Sequence, residues 1–446
     1  MSLDPGVARE IVSQALRAGA DHAELFFRSY RNVSVEIKDQ TVASLSSSFS
    51  SGYAVRVIRK NRIGFSFSTD IHEAQQVIAR AVEASGSADE DLFLGFATDS
   101  AMAEVRICDD SIRNMKNEDA VRMALQIEKA AYDADSRIQR VRKPSASFTV
   151  SETVIANSCG IHTRYEATAC SAQITAVAAS AGESQSGWDY QGSRFLNDLS
   201  FEDVGRTAAA SAVRLLGSRK IRGTKADVML DNAVAGEFLG TFAASLSSDA
   251  VQKGKSLLAD RLHSRIVSPR ITITDSGLLP GRLGSRPLDD EGVSTQATQL
   301  VQEGVLLSYL FNTYTANKAK TVSTGNALRG GFSSLPSVGV TNLFIEASEA
   351  SACIPQRSLL SSLHKGLYVV NAMGIHTANP VSGDFSIGVS GLWIENGEVA
   401  FPVKEAVISG NLLEFFTKVS AVGDDMKFYG AVGSPSLIIS DIDISA

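Results

Sequence analysis

Runs of alternating apolar and polar residues, each closed by a turn signal, constrain this chain more than any other feature. Ala23, Leu25 and Phe27 set a period of two, and Val33, Val35 and Ile37 continue it against Ser34, Glu36 and Lys38. Such alternation puts one residue class on each face of a strand, so both runs are expected to be half-buried strands. A Ser-rich strand or loop at 44–51 leads into Tyr53, Val55 and Val57. After a turn at 59–64, Phe65 and Phe67 share one face. Further on, 147–156, 161–168 and 171–179 read as strands, the first two joined at Asn157-Ser-Cys-Gly160, a hairpin turn signal.

Helical signals punctuate these strands. Asp4, Pro5 and Gly19 are the cap, first-turn proline and stop of a helix with Val7, Ile11, Val12, Ala15 and Leu16 on one face. A second amphipathic helix is expected from Asp70 to about Ser85. A third, capped by Asn117, carries Val121, Ala124, Leu125, Ile127 and Ala131. Ser200 with Asp203 resembles a capping box for a helix ending near Leu216. The basic, Gly-containing stretch 218–225 then marks a boundary. Beyond it, one helix at about 233–246 precedes mostly β signals, at 270–275, 304–310, 341–347, 367–371, 385–395, 399–403 and 436–442. Short helices are expected at 314–320, 358–364 and 412–419.

At 446 residues the chain exceeds one ordinary core. The expected fold is α+β in three parts. Residues 1–100 and 101–222 are helix-plus-antiparallel-sheet regions, and 223–446 is a β-rich, barrel-like domain with few helices. Nothing in the sequence indicates a membrane span or a signal peptide, so the expected setting is the cytoplasm. Net charge is −7 with both signs interspersed. The densest basic stretches, 56–62 and 214–225, sit beside turn residues, so no direct nucleic-acid contact is expected. Cys108, Cys159, Cys170 and Cys353 lack CxxC spacing and read as free thiols. The six histidines are dispersed, and no pair has metal-ligand spacing along a helix or strand.

The familiar catalytic templates are absent: no GxSxG elbow, Walker A loop or strand-linked GxGxxG occurs. Asp289-Asp290-Glu291-Gly292 could serve as a carboxylate cluster or as an acidic turn. The Gly/Pro-rich segment 373–385, with His376, Asn379 and Asp384, is a polar loop of the kind that carries function.

The run from Ser382 to Val403 (SGDFSIGVSGLWIENGEVAFPV) resembles a signature of the TldD/PmbA family, as does Ile408-Ser-Gly-Asn-Leu412. So do Asp290-Glu-Gly-Val-Ser-Thr295, Glu303-Gly-Val-Leu-Leu307 and Ser323-Thr-Gly-Asn326. Ala18-Gly-Ala-Asp-His-Ala-Glu24 and the Asn157–Gly160 turn complete the ordered set. The resemblance implies a zinc-peptidase architecture. In its TldD branch, an HExxxH helix opening the C-terminal domain is expected to bind zinc with a cysteine near the C-terminus. The matching stretch here starts at Leu230. Glu237 stands at the Glu position, while Gly236 and Thr241 replace the histidines, and no cysteine follows Cys353.

By resemblance, the chain is thus expected to be a PmbA (TldE) subunit, itself without catalytic residues or cofactor. Zinc would be held by a TldD-like partner, and the pair would cleave unfolded peptides threaded as a strand. Candidate residues of the peptide cavity are Asp290, Glu291, His376, Asn379 and Asp384. The alternatives are an autonomous metallopeptidase, a homodimer with another active site, or a regulatory protein that modulates DNA gyrase.

Overall fold

The computed structural model describes residues 3–98 and 101–445; the expected boundary at residue 100 lies outside the described residues. Strands β1 (His22–Lys38), β2 (Thr41–Arg59), β3 (Arg62–Ser68), β4 (Ile138–Asn157), β5 (His162–Ser180) and β6 (Glu183–Ser193) form one antiparallel sheet in the order β3-β2-β1-β4-β5-β6. The regions 1–100 and 101–222 therefore share this sheet. The β4–β5 hairpin turns at Asn157, whose Oδ1 accepts from the Cys159 and Ile161 amides at 2.9 and 3.1 Å.

Helices α1 (Pro5–Arg17), α2 (Ala74–Ser87), α3 (Asn117–Ala134) and α4 (Phe201–Val213) cover one face of this sheet. Ala8, Ile11, Val12 and Ala15 of α1 pack with Leu25, Phe27 and Val55. Ala124, Ile127 and Ala131 of α3 pack with Val35, Ile37 and Phe148. The α4 helix presses so closely on β6 that a Cβ at Gly187 would lie 2.3 Å from the Ala208 carbonyl oxygen.

Two caps differ from expectation. Asn117 is the first helical residue, after a Lys116 cap that makes no side-chain bond. Ser200 accepts from the Asp203 amide, but no reciprocal bond forms, because the Asp203 carboxylate is taken by Arg206 at 2.7 Å. The stretches 161–168 and 171–179 are a single strand, since Ala169 and Cys170 continue the ladder.

The C-terminal part holds two large sheets around the largest core, beside a two-stranded one that pairs Ala327–Leu328 with Ser337–Val338. In the first, β8 (Ile271–Ser276), β9 (Ala297–Gln302), β10 (Val305–Leu306) and β11 (Leu343–Ala347) line up as β10-β9-β8-β11. The second is built on β7 (Thr224–Leu230), β12 (Lys365–Met373), β13 (Asp384–Glu395), β14 (Glu398–Asn411), β15 (Val419–Gly423) and β18 (Leu437–Ser445). The hairpin β16 (Lys427–Tyr429) and β17 (Val432–Ser434) extends the first sheet beyond β11. In the second, β18 pairs with both β14 and β7, which closes β7-β12-β13-β14-β18 into a five-strand barrel. The barrel-like expectation is met by this ring.

Along β1 the alternation has a second consequence. Residues 25 and 27 face the helices, whereas Glu24, Phe26 and Arg28 face the C-terminal domain, so the segment from Ala23 to Ser29 is buried on both sides. The half-buried strand expected there is fully buried because its polar face meets matching charges. Glu24 takes Arg56 at 2.9 Å and Arg329, and Arg56 also reaches Glu291 at 3.1 Å. Asp290 takes Arg28 at 2.5 Å and Arg286 at 3.6 Å.

Candidate functional site

Helix α5 (Asn232–Ala243) opens the C-terminal domain. Asp231 caps it, accepting from the Ala233 amide at 3.3 Å and from the Tyr368 hydroxyl at 2.7 Å. Its apolar face is fixed by aromatic contacts: Phe238 stacks on Phe415 at 4.7 Å and meets Phe385 edge-on, while Phe242 packs on Phe416. With that face locked into the core, Glu237 is turned to a cavity of about 360 Å³.

The other walls of the cavity come from β6 (Trp188, Asp189), Arg214, Asn371 of β12, and Lys427 and Tyr429 of β16. Trp188 lies between Tyr190 and Tyr429, at centroid distances of 6.2 and 5.7 Å. Asp189 is 1% exposed; its Oδ1 holds Lys427 at 2.6 Å, and its Oδ2 has no hydrogen-bond partner among the described residues. Burial raises the Asp189 carboxyl and outweighs the opposing pull of Lys427. Burial of its carboxyl in the cavity mouth also raises Glu237, although the residue as a whole stays exposed.

The surroundings of Glu237 decide what it can hold. A side chain added at Gly236 would meet nothing within 4 Å, so position 236 has room but no donor. The Thr241 hydroxyl donates to the Glu237 carbonyl at 3.1 Å, a bond within the helix. A protein-bound zinc takes at least three donors, and α5 offers one carboxylate. The residues here do not fit a zinc ion. Among the described residues, no group of three or more His, Cys, Asp and Glu is placed to hold a metal.

The five sequence-derived cavity candidates fall in two other places. Asp290 and Glu291 are buried in the charge cluster, where Glu291 also accepts from the Thr313 amide at 2.9 Å. Although burial opposes it, Arg28 and Arg286 hold the Asp290 carboxyl below its ordinary value. Asp289 beside it is pushed up to about 7 by burial and by Glu291. Asn379 and Asp384 are exposed. Asn379 ties its own loop by accepting from the Val381 and Ser382 amides at 2.8 and 3.1 Å, and Asp384 accepts from Asn411 at 3.1 Å. His376 belongs to a short turn, Ile375–Thr377, and its side chain lies outside the described residues. Asp290, Glu291, Asn379 and Asp384 do not line the cavity that holds Glu237.

Sequence reasoning named Glu237 only by its place in the motif, not as a cavity residue, and gave no weight to its neighbours Trp188, Asp189, Arg214 and Lys427. Lys427 and Asp189 are 238 residues apart and meet only because β6 and β16 are edge strands of different sheets. The signal that could have pointed to them was Trp188-Asp189-Tyr190, a cluster holding one of only two tryptophans.

Comparison with known proteins places this geometry. Residues 23–85, 110–216 and 223–446 match, in turn, the first, central and C-terminal domains of PmbA/TldA metallopeptidases. The chain is 28% identical to the metalloprotease PmbA of Escherichia coli O157:H7, covering 98% of this chain and 96% of that protein. It superposes on a Thermotoga maritima protein described as a candidate modulator of DNA gyrase, with a TM-score of 0.91 and 25% identity over 99% of both chains. TldE from Thermococcus kodakarensis shares the fold, with a TM-score of 0.88 at 20% identity over 99% of this chain and 100% of that one. Matched by three successive domains of one family, the chain belongs to the PmbA/TldD metallopeptidase family.

Proposed function

We propose that this chain is the metal-free subunit of a two-subunit, cytoplasmic peptidase that acts on unfolded peptides. Its cavity would hold the peptide while a TldD-like partner supplies the zinc. The observation that carries this reading is the setting of Glu237: the carboxylate is turned to a cavity, with glycine before it and a self-bonded threonine four residues on. The walls suit a peptide. Trp188 and Tyr429 offer apolar surface, Asn371 and Arg214 offer donors, and Asp189 and Glu237 offer acceptors, the mixture an extended backbone and its side chains require.

The test is to purify the chain alone and together with the HExxxH-bearing homologue of the same genome, then measure bound zinc and cleavage of an unfolded peptide. Zinc and cleavage are expected only in the mixture, and both should be lost when the partner's histidines are replaced. Zinc-dependent cleavage by this chain alone would overturn the reading. Gyrase binding with no effect on cleavage would favour a regulatory protein instead.

A further inference from the structure

The charges that line the Glu237 cavity do not pair off evenly. Its walls carry the carboxylates of Asp189, Asp231 and Glu237 against the cations Arg214 and Lys427. Both cations are already engaged. Lys427 donates to Asp189 at 2.6 Å and lies 4.7 Å from the centre of the Tyr429 ring. Arg214 stands 3.8 Å from Asp231, which also caps α5 and accepts from the Tyr368 hydroxyl. Glu237 is left without an ion pair among the described residues. The second oxygen of Asp189, buried, has no hydrogen-bond partner among them either. One negative charge and a further acceptor are thus unmatched in a partly buried place, where an uncompensated carboxylate is costly.

The walls narrow down which cation would answer it. Trp188 is 45% exposed and lies beside Tyr429, with ring centres 5.7 Å apart. Such surfaces suit a methylene stem and the flat or rounded head of an organic cation. An inorganic ion would use neither ring, and among the described residues no three donors converge on one. At about 360 Å³ the cavity is small for a ligand site. It has room for one long side chain and the backbone that bears it, not for a whole peptide. Arg214 Nε, also without a hydrogen-bond partner among the described residues, remains to take a carbonyl oxygen of that backbone.

We propose that this cavity is a subsite for one basic side chain, lysine or arginine, of the bound peptide, with Glu237 as its counter-charge. The proposal rests on the reading of the cavity as a peptide site and adds the residue class it selects. The stem of the side chain lies against Trp188 and Tyr429, and Asp189 supplies the second acceptor. An acidic side chain would meet an unpaired carboxylate, with both cations held by other partners. A neutral one would leave Glu237 as it stands, partly buried and without a cation.

The test is equilibrium binding of short unfolded peptides, capped at both ends and differing at one position, to the full chain alone and to its mixture with the homologous subunit. Lysine or arginine at that position should bind about tenfold or more tighter than norleucine, and glutamate more weakly still. Glu237→Gln should remove most of this preference. Glu237→Lys should reverse it, making the glutamate peptide the favoured one, which a merely structural role of Glu237 would not do. Asp189→Asn keeps an acceptor for Lys427 and should reduce the preference by a smaller factor. Thermal melting checks that each variant folds, and the peptide series on the unaltered chain needs no variant. Equal binding of lysine and norleucine peptides, a preference untouched by Glu237→Gln, or no binding in either form would each overturn the proposal. So would an uncapped norleucine peptide that binds as tightly as the capped lysine one, since the cavity would then hold an amino terminus. A basic preference without cleavage by the mixture would leave the subsite standing and sink the two-subunit peptidase. Cleavage blind to charge would do the reverse.

Discussion

Two groups of carboxylates lie between the N-terminal sheet and the C-terminal domain, and they are kept in opposite ways. In the seam, Glu24, Asp289, Asp290 and Glu291 stand with Arg28, Arg56, Arg286 and Arg329, and every carboxylate has a guanidinium or backbone amide on it. In the cavity, Asp189 has one oxygen on Lys427 and, among the described residues, one without a hydrogen-bond partner, while the Glu237 carboxyl makes no ion pair among them. A cluster whose carboxylates are all partnered fixes two domains against each other, although Arg286 Nε within it has no hydrogen-bond partner among the described residues. An unsaturated one keeps its donors and acceptors for something else. Acidic density alone, which drew attention to 289–291, does not distinguish the two; partnership does.

The comparison can be broken most severely at Asp290. Asp290→Ala should leave Arg28 and Arg286 buried without their anion and cost about 3–5 kcal/mol, read by denaturant unfolding. A loss below about 1 kcal/mol would mean that the seam is not held by charge. A pH series sharpens the same point. Because Asp290 is held below its ordinary value, its contribution is present above about 4 and lost as pH falls further. Asp289, raised to about 7, works in the opposite sense: it favours the fold at low pH and ceases to as pH rises through about 7. The melting temperature should therefore peak on the acid side of neutrality, with an acid limb that flattens in Asp290→Asn.

Smaller effects are expected in the cavity. Glu237→Gln should change stability by no more than about 0.5 kcal/mol while weakening peptide capture by the mixed subunits about tenfold. Lost stability with unchanged capture would move Glu237 into the class of the seam. Least of all, Gly236→Ala should stabilise the chain by about 0.5–1 kcal/mol, since the site is helical and open. A loss there would mean that something fills that space in the folded protein.

Much of the fold was legible because alternation and turn chemistry are local. The Asn157 hairpin, the Asp4 cap and the amphipathic face of α3 follow from neighbours in sequence, whereas α1 buries Ile11, Val12 and Ala15 of its expected face and leaves Val7 and Leu16 exposed, Ala8 packing in their stead. What escaped was whatever depends on the far side of an element. The polar face of β1 looks solvated until Arg329 and the 286–291 segment are laid on it. Glu237 was legible by its place in a motif. Its companions Trp188, Asp189 and Lys427 were not, because they come from edge strands of two sheets whose meeting no local pattern encodes.

The closure of the barrel bears on the order in which the molecule is made. Strand β7 needs β18 beside it, and Thr224 waits for Ile444, more than two hundred residues later. Contacts of such separation form slowly, whereas a chain leaving the ribosome folds its N-terminal part first. The six-stranded sheet is thus complete while the domain that will cover it is still unfinished. During that interval its uncovered face presents Glu24, Arg28 and Arg56 around Phe26. Arginine and glutamate there keep a half-built protein wet until the second half arrives, and only then become its lock.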